Sequence, residues 1–457
     1  MKIDETIFKA YDIRGTYSEQ IDKDFAYNLG RAYAEFMRKE VGHDKLNLAV
    51  SRDMRLSSPE LAEAVIEGIS AQGVKVIDLG MLSTPSLYYA VDTYHYAGGI
   101  QVSASHNPAN YNGFKLVREK AIPISKDTGI TKLKEMMKSH EFVSADKPGT
   151  IERADELAVL GDHIYSSLDL VEIDQLKPFR VVIDAANAMG GPLFSYLFKE
   201  LPCELIELNF ELDGTFPAHE ADPLKDENNK QLQDKVLEEK ADLGIALDGD
   251  SDRIFFVDDK GKTVEPAIIR GILSKIFLKD NKGAKICYDI RPGKITEDMI
   301  VENGGEPVVT KVGHSLIKEK AREVGAIFAG ESSGHFFLKV GDAIYERPMI
   351  MALKIMIELS KSGQKFSEYI KPLQKYFHSG EINFDVDDKT AVFDRLKEKY
   401  GDNLKYDFDG LSFEFDDFWF NVRASNTENK VRLNLEARTQ EVMEEKRDEV
   451  MTVIKAL

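Results

Sequence analysis

A chain of 457 residues with a formal net charge of −19 and only two cysteines is already constrained before any motif is read. At about 150 residues per domain it holds roughly three domains, and it can bury large cores without disulfide staples. The acidic balance argues against nucleic acid as the main partner, because phosphate-backbone binding needs a basic face. Cys203 and Cys287 form no Cys-x-x-Cys pattern, which argues against a disulfide framework and a Cys-rich zinc site.

The opening MKIDETIFKAYD is charged and lacks an apolar signal region, and no apolar run is long enough to span a bilayer. A reducing, cytoplasmic setting is expected, with no membrane partner. The first three-quarters of the chain repeats one plan three times. Apolar β-rich runs begin at NLAVSRDMR (47–55), RVVIDAANAMGG (180–191) and KICYDIRPG (285–293). Each is followed by a helical stretch and then a second strand, in VKVIDLG (74–80), CELIELN (203–209) and EPVVTKVG (306–313). A third strand then enters a polar loop, in GGIQVSASHNP, DLGIALDGDSDR and GAIFAGESSGH. Strands alternating with helices predict mainly parallel α/β sheets, and the recurrence predicts internal duplication. In the first helix of this kind, Ser58-Pro59 reads as a cap and first-turn proline, Leu61, Val65 and Ile69 share a face, and Gly73 ends it. The last ninety or so residues differ: EINFDVDD, LSFEFDDFWFNVRAS and KVRLNLEAR alternate as strands and EVMEEKRDEVMTVIKAL closes as a helix, predicting a smaller α+β domain. The stretch at 361–364 is the boundary before it.

Ligands gather at the carboxyl ends of strands in open α/β sheets, which is where the three polar loops fall. In the first, Ser105 stands beside His106, with Lys115 following Asn-Gly-Phe. Alone, Ser105 reads as an ordinary turn serine. It has no Gly-x-Ser-x-Gly elbow, so a serine hydrolase is not indicated. In the second, Asp248, Asp250 and Asp252 alternate. Three crowded carboxylates repel one another unless a cation joins them, and oxygen-only ligands select Mg²⁺ or Ca²⁺. An EF-hand would need Gly where Arg253 stands and helices on both sides, so Mg²⁺ is favoured. A serine facing Mg²⁺ and cationic groups suits phosphoryl transfer. In the third, Glu331, Ser332, Ser333 and His335 sit in a glycine-bounded turn, where acid and hydroxyl groups suit vicinal sugar hydroxyls and His335 could equally be a general acid/base. A fourth loop, with Arg423, Ser425, Asn426 and Thr427 between strands, suits a phosphate dianion or is a plain polar hairpin. His219 could brace its loop or do chemistry, Arg52 and Asp53 could simply close a turn, and Trp419 reads as core packing.

These motifs run in order from FKAYDIRG (8–15) through SASHNPANYNGFK, DGTFPAHEADP, DGDSDR, GHSLIK and GESSGH to RASNTE (423–428). Together they resemble the α-D-phosphohexomutase family, in its phosphomannomutase/phosphoglucomutase branch, over essentially the whole chain. The resemblance implies three similar mixed α/β domains in tandem plus a C-terminal α+β TATA-binding-protein-like domain around a central cleft. The domains are expected at 1–147 with the phosphoserine loop, 148–253 with the metal loop, 254–364 with the sugar loop and 365–457 with the phosphate loop. It implies that Ser105 carries a phosphoryl group and that Asp248, Asp250 and Asp252 hold Mg²⁺ beside it. Tyr11 and Arg14 would border the phosphoserine and sugar, while Lys115 and His335 would handle protons next to Ser105 and His106. Lys311 and His314 would seat the sugar, Glu331 and Ser333 its hydroxyls, and Arg423, Ser425, Asn426 and Thr427 the distal phosphate. The implied activity is reversible transfer between C1 and C6 of a hexose phosphate, with hexose 1,6-bisphosphate as intermediate and activator, in a monomer. Three positions depart from the family pattern: Asn429 replaces a frequent Pro, Ala218 replaces an Asn, and Ser332 fills a variable position. None removes a chemical group from the set, but they leave the sugar open. The rivals are a phosphoglucosamine mutase, a phosphatase using the same serine, and a sugar-phosphate-binding regulator without turnover.

Overall fold

Short β-rich runs of the first α/β unit become strands whose order in the sheet follows from where their hydrophobic sides can be buried. The computed structural model describes residues 3–42, 46–140, 142, 145–424 and 429–456. It separates into two units, Met1–Val264 with Ser333–Ser367 and Glu265–Ser332 with Glu368–Leu457. In the first unit, the sheet places Asn47–Arg52 between Lys75–Met81 and Gly98–Val102, all parallel. Tyr111–Arg118 and Ile13–Thr16 extend it antiparallel, and Ile151–Arg153 closes the far edge. The parallel strands are buried on both faces, as helix-covered strands must be.

The helix Ser58–Ala71 shows how the sequence signal was used. Leu61, Val65 and Ile69 are fully buried and Gly73 adopts φ 73°, as expected. The cap differs: Ser57 occupies the N-cap and Ser58 is already helical, its buried hydroxyl donating to Asp53 Oδ1 at 2.5 Å. A tertiary partner drew the hydroxyl away from the capping role that spacing alone suggested. This helix crosses Lys23–Val41 at two glycines. A Cβ on Gly30 would lie 2.3 Å from the Val65 carbonyl, and one on Gly68 2.1 Å from that of Tyr27. Only hydrogen at these positions lets the backbones approach so closely.

A second sheet in the same unit repeats the arrangement, with Arg180–Asp184 between Glu204–Leu208 and Leu243–Leu247 in parallel, then Ile254–Val257 antiparallel. In the second unit, Lys285–Asp289 lies between Glu306–Thr310 and Phe328–Gly330, again parallel. All three starting strands thus sit centrally, flanked by their second and third strands in the same order, so the threefold plan read from the sequence is present as topology. The sheets are mixed, because each also carries antiparallel strands. The C-terminal domain has an antiparallel sheet in the order Phe377–Asp385, Lys430–Ala437, Phe418–Ala424, Leu411–Glu414 and Leu404–Tyr406. Helices Lys389–Tyr400 and Gln440–Lys455 contribute Val392, Leu396, Val450 and Ile454 to its core. Among the described residues no helix is long and apolar enough to cross a membrane.

One contact in the second unit couples fold to pH. The helix Lys294–Glu302 begins at Gly293, which has no side chain to cap it. Glu436 supplies the acceptor instead: its Oε2 receives the Lys294 N–H at 2.9 Å and the Trp419 indole N–H at 2.7 Å. Trp419 is therefore a hydrogen-bond donor at this joint rather than plain core packing. Burial pushes the Glu436 carboxyl up to about 7, partly opposed by these two donors. A carboxyl raised on folding favours the folded state fully below its unfolded pKa, and that contribution fades as pH rises through the folded value. Unfolding followed by Trp419 fluorescence should thus lose up to about 3 kcal/mol between about pH 5 and about pH 8. Glu436→Gln should remove that slope, and an unchanged slope in the variant would show that Glu436 does not carry it.

Candidate active site and metal centre

The loop after Gly98–Val102 holds Ser105 at φ 51°, in the left-handed region that a serine enters only under constraint. The constraint is Arg55, whose side chain is wholly buried beneath the loop. Its guanidinium donates to the carbonyls of Ser105 at 2.8 Å, Asn107 at 2.5 Å, Pro108 at 2.7 Å and Tyr111 at 3.0 Å, while Asp53 pairs with its Nε at 3.2 Å. The pair Arg52–Asp53 thus does more than close a turn, since Asp53 anchors the residue that shapes the loop. Arg14 reaches the same loop through Asn107 Oδ1 at 2.8 Å and is paired with Asp12 at 2.7 Å. Tyr11 lies half-buried just ahead of Ile13–Thr16.

Ser105 Oγ donates to Asp248 Oδ2 at 2.7 Å and lies 3.2 Å from His106 Nδ1. Burial, with Arg253 and Arg14 nearby, holds the His106 imidazole well below its usual range and therefore neutral. Asp248, Asp250 and Asp252 occupy the turn between antiparallel strands Leu243–Leu247 and Ile254–Val257, which excludes the helix-flanked EF-hand. Each is buried, and one oxygen from each falls within 4.8 Å of the others. Lys115, carried in by Tyr111–Arg118, donates to Asp250 Oδ2 at 2.5 Å and to Asp252. Thr84 Oγ1 gives Asp250 a further hydrogen bond at 2.6 Å. Burial and the two neighbouring carboxylates push Asp248 well above the usual carboxylate range. Burial also raises Asp252, but Lys115 and His335 outweigh it and hold that group well below. Burial depresses Lys115, yet Asp250 and Asp252 more than reverse this, so its ammonium is firmly charged.

The donor set fits a hard divalent cation. It offers only oxygens, and Asp250 Oδ1 has no hydrogen-bond partner among the described residues although it is buried. Asp248, Asp250 and Asp252, with Ser105 Oγ alongside, are the residues that would hold it. The metal loop and the serine loop also touch directly. A Cβ on Gly249 would lie 2.4 Å from the Ser105 carbonyl oxygen. Gly249→Ala should therefore cut turnover about 10²-fold by displacing Ser105, though it removes no chemical group. Steady-state kcat measured against Mg²⁺ concentration checks this, and a kcat within about threefold of the unaltered protein would refute the close fit.

His335 follows the metal loop in space. Ile254 N–H donates to the Gly334 carbonyl at 3.0 Å, and His335 Nε2 lies 3.2 Å from Asp252 Oδ1. Ser333 Oγ meets His335 Nδ1 at 3.0 Å. The first unit thus brings Ser105, His106, Lys115, Arg14, the three aspartates, Ser333 and His335 to one place. Glu331 belongs to the second unit, where its buried Oε1 accepts the Gly313 N–H at 2.7 Å and ties the GESSGH turn to GHSLIK. His314 opens the helix His314–Val324 and is buried, whereas Lys311 is exposed. Arg423 stands 3.5 Å from Glu381, which Arg432 also approaches at 3.4 Å. Ser425, Asn426 and Thr427 lie outside the described residues. His219 donates to Asp184 at 2.9 Å and to the Glu220 carbonyl at 2.8 Å, using both ring nitrogens to brace its loop.

Sequence reasoning missed several residues. Arg55, Thr84 and Arg253 in the first unit act through long-range contacts; the Arg253 N–H donates to Asp248 Oδ1 at 3.1 Å. In the second unit, buried Asp289 accepts from Ser332 N and pairs with Arg291 at 2.9 Å and Arg270 at 3.3 Å. The only signal was the charge that ends each starting strand, in SRD and YDIR.

The chain matches the phosphoglucomutase/phosphomannomutase alpha/beta/alpha domains I, II and III over residues 5–144, 161–261 and 266–376, and the C-terminal domain over 381–453. The chain belongs to the phosphoglucomutase/phosphomannomutase family. It is 38% identical to a phosphomannomutase of Vibrio cholerae, over 99% of both chains. It is 39% identical to the phosphohexose mutases of Xanthomonas campestris, over 94% of this chain and 95% of theirs. A phosphoglucomutase/phosphomannomutase family protein from Burkholderia thailandensis superposes with TM-score 0.89 at 32% identity, covering 100% of this chain and 98% of that one. Members of the family thus share the four-domain plan, and the sequence-derived fold class agrees with it.

Proposed function

We propose that the protein is a reversible hexose phosphate mutase that moves a phosphoryl group between C1 and C6 through phospho-Ser105. The observation that carries this is the buried cluster in which Ser105 Oγ faces Asp248 while Lys115 bridges Asp250 and Asp252. A bound Mg²⁺ supplies charge neutralisation for the phosphoryl oxygens. Ser105 Oγ releases the phosphoryl group as its bond to phosphorus breaks and the sugar hydroxyl oxygen bonds to the same phosphorus. His335 takes the proton that the hydroxyl loses, and the charged Lys115 ammonium supplies one to the departing Ser105 oxygen. Arg55 keeps the serine loop from relaxing, so little reorganisation is needed at the moment of transfer. The 1,6-bisphosphate so formed returns its other phosphoryl group to Ser105.

Tyr11, Lys311, His314, Glu331 and Ser333 are assigned to the sugar, and Arg423, Ser425, Asn426 and Thr427 to the distal phosphate. The substrates are mannose and glucose phosphates. Relatives called phosphomannomutase support this at 36–38% identity in Escherichia coli and Vibrio cholerae, and a phosphoglucosamine mutase or an inactive regulator is not favoured. The reading carries with it a monomer in the cytoplasm; Cys203 and Cys287 being free thiols supports the reducing compartment. The test incubates the protein with Mg²⁺ and a trace of glucose 1,6-bisphosphate, with mannose 1-phosphate and glucose 1-phosphate in separate reactions. Formation of 6-phosphate without matching phosphate release is expected. Release of phosphate without isomer would make the protein a phosphatase, and no reaction with either sugar would overturn the hexose assignment.

A further inference from the structure

One buried group beside the site has no part in the transfer described above. Glu346 ends the strand Ala343–Glu346 and is fully buried. It stands opposite Phe337 across an antiparallel hairpin, and residues two apart share a face, so Glu346 and His335 lie on the same side. The backbone bridge between Arg253 and His335 brings Asp252 to that side as well. One ligand atom from each of Asp252, His335 and Glu346 falls within 4.8 Å of the others.

We propose that Asp252, His335 and Glu346 form a second metal site, which takes a borderline transition ion such as Zn²⁺ and silences the protein. The chemistry differs from that of the three aspartates: one imidazole nitrogen with two carboxylates is a mixed donor set, which suits Zn²⁺ rather than Mg²⁺. Bonds of about 2.0–2.2 Å in a tetrahedral site place neighbouring ligand atoms roughly 3.4 Å apart. Asp252 Oδ1 and His335 Nε2 are 3.2 Å apart, close to that edge. Asp252 Oδ1 is buried, and its polar neighbour at 3.2 Å is His335 Nε2, itself a member of the proposed site. Lys115 takes the other oxygen, Oδ2, so Asp252 turns one oxygen to each site. A cation on Nε2 displaces the Arg253 Nε–H that lies 3.4 Å from it and occupies the lone pair with which His335 would hold a proton. The silencing therefore rests on the mutase reading, whereas the binding does not.

The test uses the full chain at saturating Mg²⁺. Zn²⁺ is titrated by calorimetry with released Mg²⁺ counted, Co²⁺ by its visible absorption, and turnover is followed in parallel. One Zn²⁺ per chain should bind without releasing Mg²⁺, Co²⁺ should give the spectrum of a four-coordinate site with nitrogen, and turnover should stop. Glu346→Gln should weaken Zn²⁺ binding about tenfold or more while its Mg²⁺-supported turnover stays the same. If that variant fails to fold by circular dichroism, His335→Gln is read on the Co²⁺ spectrum alone, which should lose its nitrogen character. One Mg²⁺ released per Zn²⁺ bound, or equal Zn²⁺ affinity in the variant, would overturn the site. Zn²⁺ bound through Glu346 with turnover intact would overturn the silencing and count against the role given to His335.

Discussion

Ser105→Ala should lose mutase turnover by on the order of 10⁴-fold or more while remaining folded. The substitution removes one oxygen and no backbone contact. The four carbonyls held by Arg55, including that of residue 105, keep their donor. Alanine tolerates φ 51° about as well as serine does, so the loop has no reason to move. What disappears is the hydroxyl that faces Asp248 at 2.7 Å, and with it the atom that would carry the phosphoryl group. Intact-mass measurement after incubation with glucose 1,6-bisphosphate should show an added phosphoryl group on the unaltered protein and none on the variant. Labelling of the variant at full stoichiometry would move the phosphoryl acceptor to another residue and sink the assignment.

Lys115→Met should be the substitution with the largest effect on stability. Lys115 is 3% exposed in its side chain and its ammonium is shared by two carboxylates that are themselves fully buried. Removing it leaves Asp250 with the Thr84 hydroxyl and Asp252 with His335, and breaking such a buried pair costs about 3–5 kcal/mol. A divalent cation bound by the same carboxylates should restore much of that loss by mass action. Mg²⁺ should thus raise the Tm of the variant more than that of the unaltered protein. Turnover should still fall by about 10²–10⁴-fold, because the proton-handling amine is gone. Thermal unfolding with and without Mg²⁺, at fixed ionic strength, decides the matter. Equal Mg²⁺-induced shifts in the two proteins would mean that Lys115 does not compensate the metal carboxylates.

How legible all this was in the sequence depends on the range of the interaction. The three starting strands and the loops after the third strands were readable because apolar runs and turn residues are local signals. So was the cluster of Asp248, Asp250 and Asp252, whose crowding is a matter of spacing alone. Arg55 was not readable: a fully buried arginine under four carbonyls exists only once Asn47–Arg52 and the serine loop are brought together by the sheet. The same holds for Asp289, whose arginines come from a helix and a loop. In the C-terminal domain, the single run LSFEFDDFWFNVRAS proved to be two strands, Leu411–Glu414 and Phe418–Ala424, because Asp416-Asp417 turns the chain between them. The helix Lys389–Tyr400 and strand Leu404–Tyr406 escaped notice because lysines and acids interrupt their apolar pattern.

The shared strand order of the three α/β sheets has an evolutionary corollary. A unit copied twice delivers three rims of the same shape, and each rim carries its own residues: Ser105 with His106, the three aspartates, and Glu331 with Ser333, to which the proposed function gives separate tasks. Their bracing is parochial. Arg55 and Asp53 secure the first loop from within its own sheet, and Asp289 with Arg270 secures the third from within its own. Divergence in the third rim can therefore proceed without unsettling the first. Directed evolution toward a new sugar would best randomise the neighbours of Ser332 and leave the arginine-pinned scaffold as inherited.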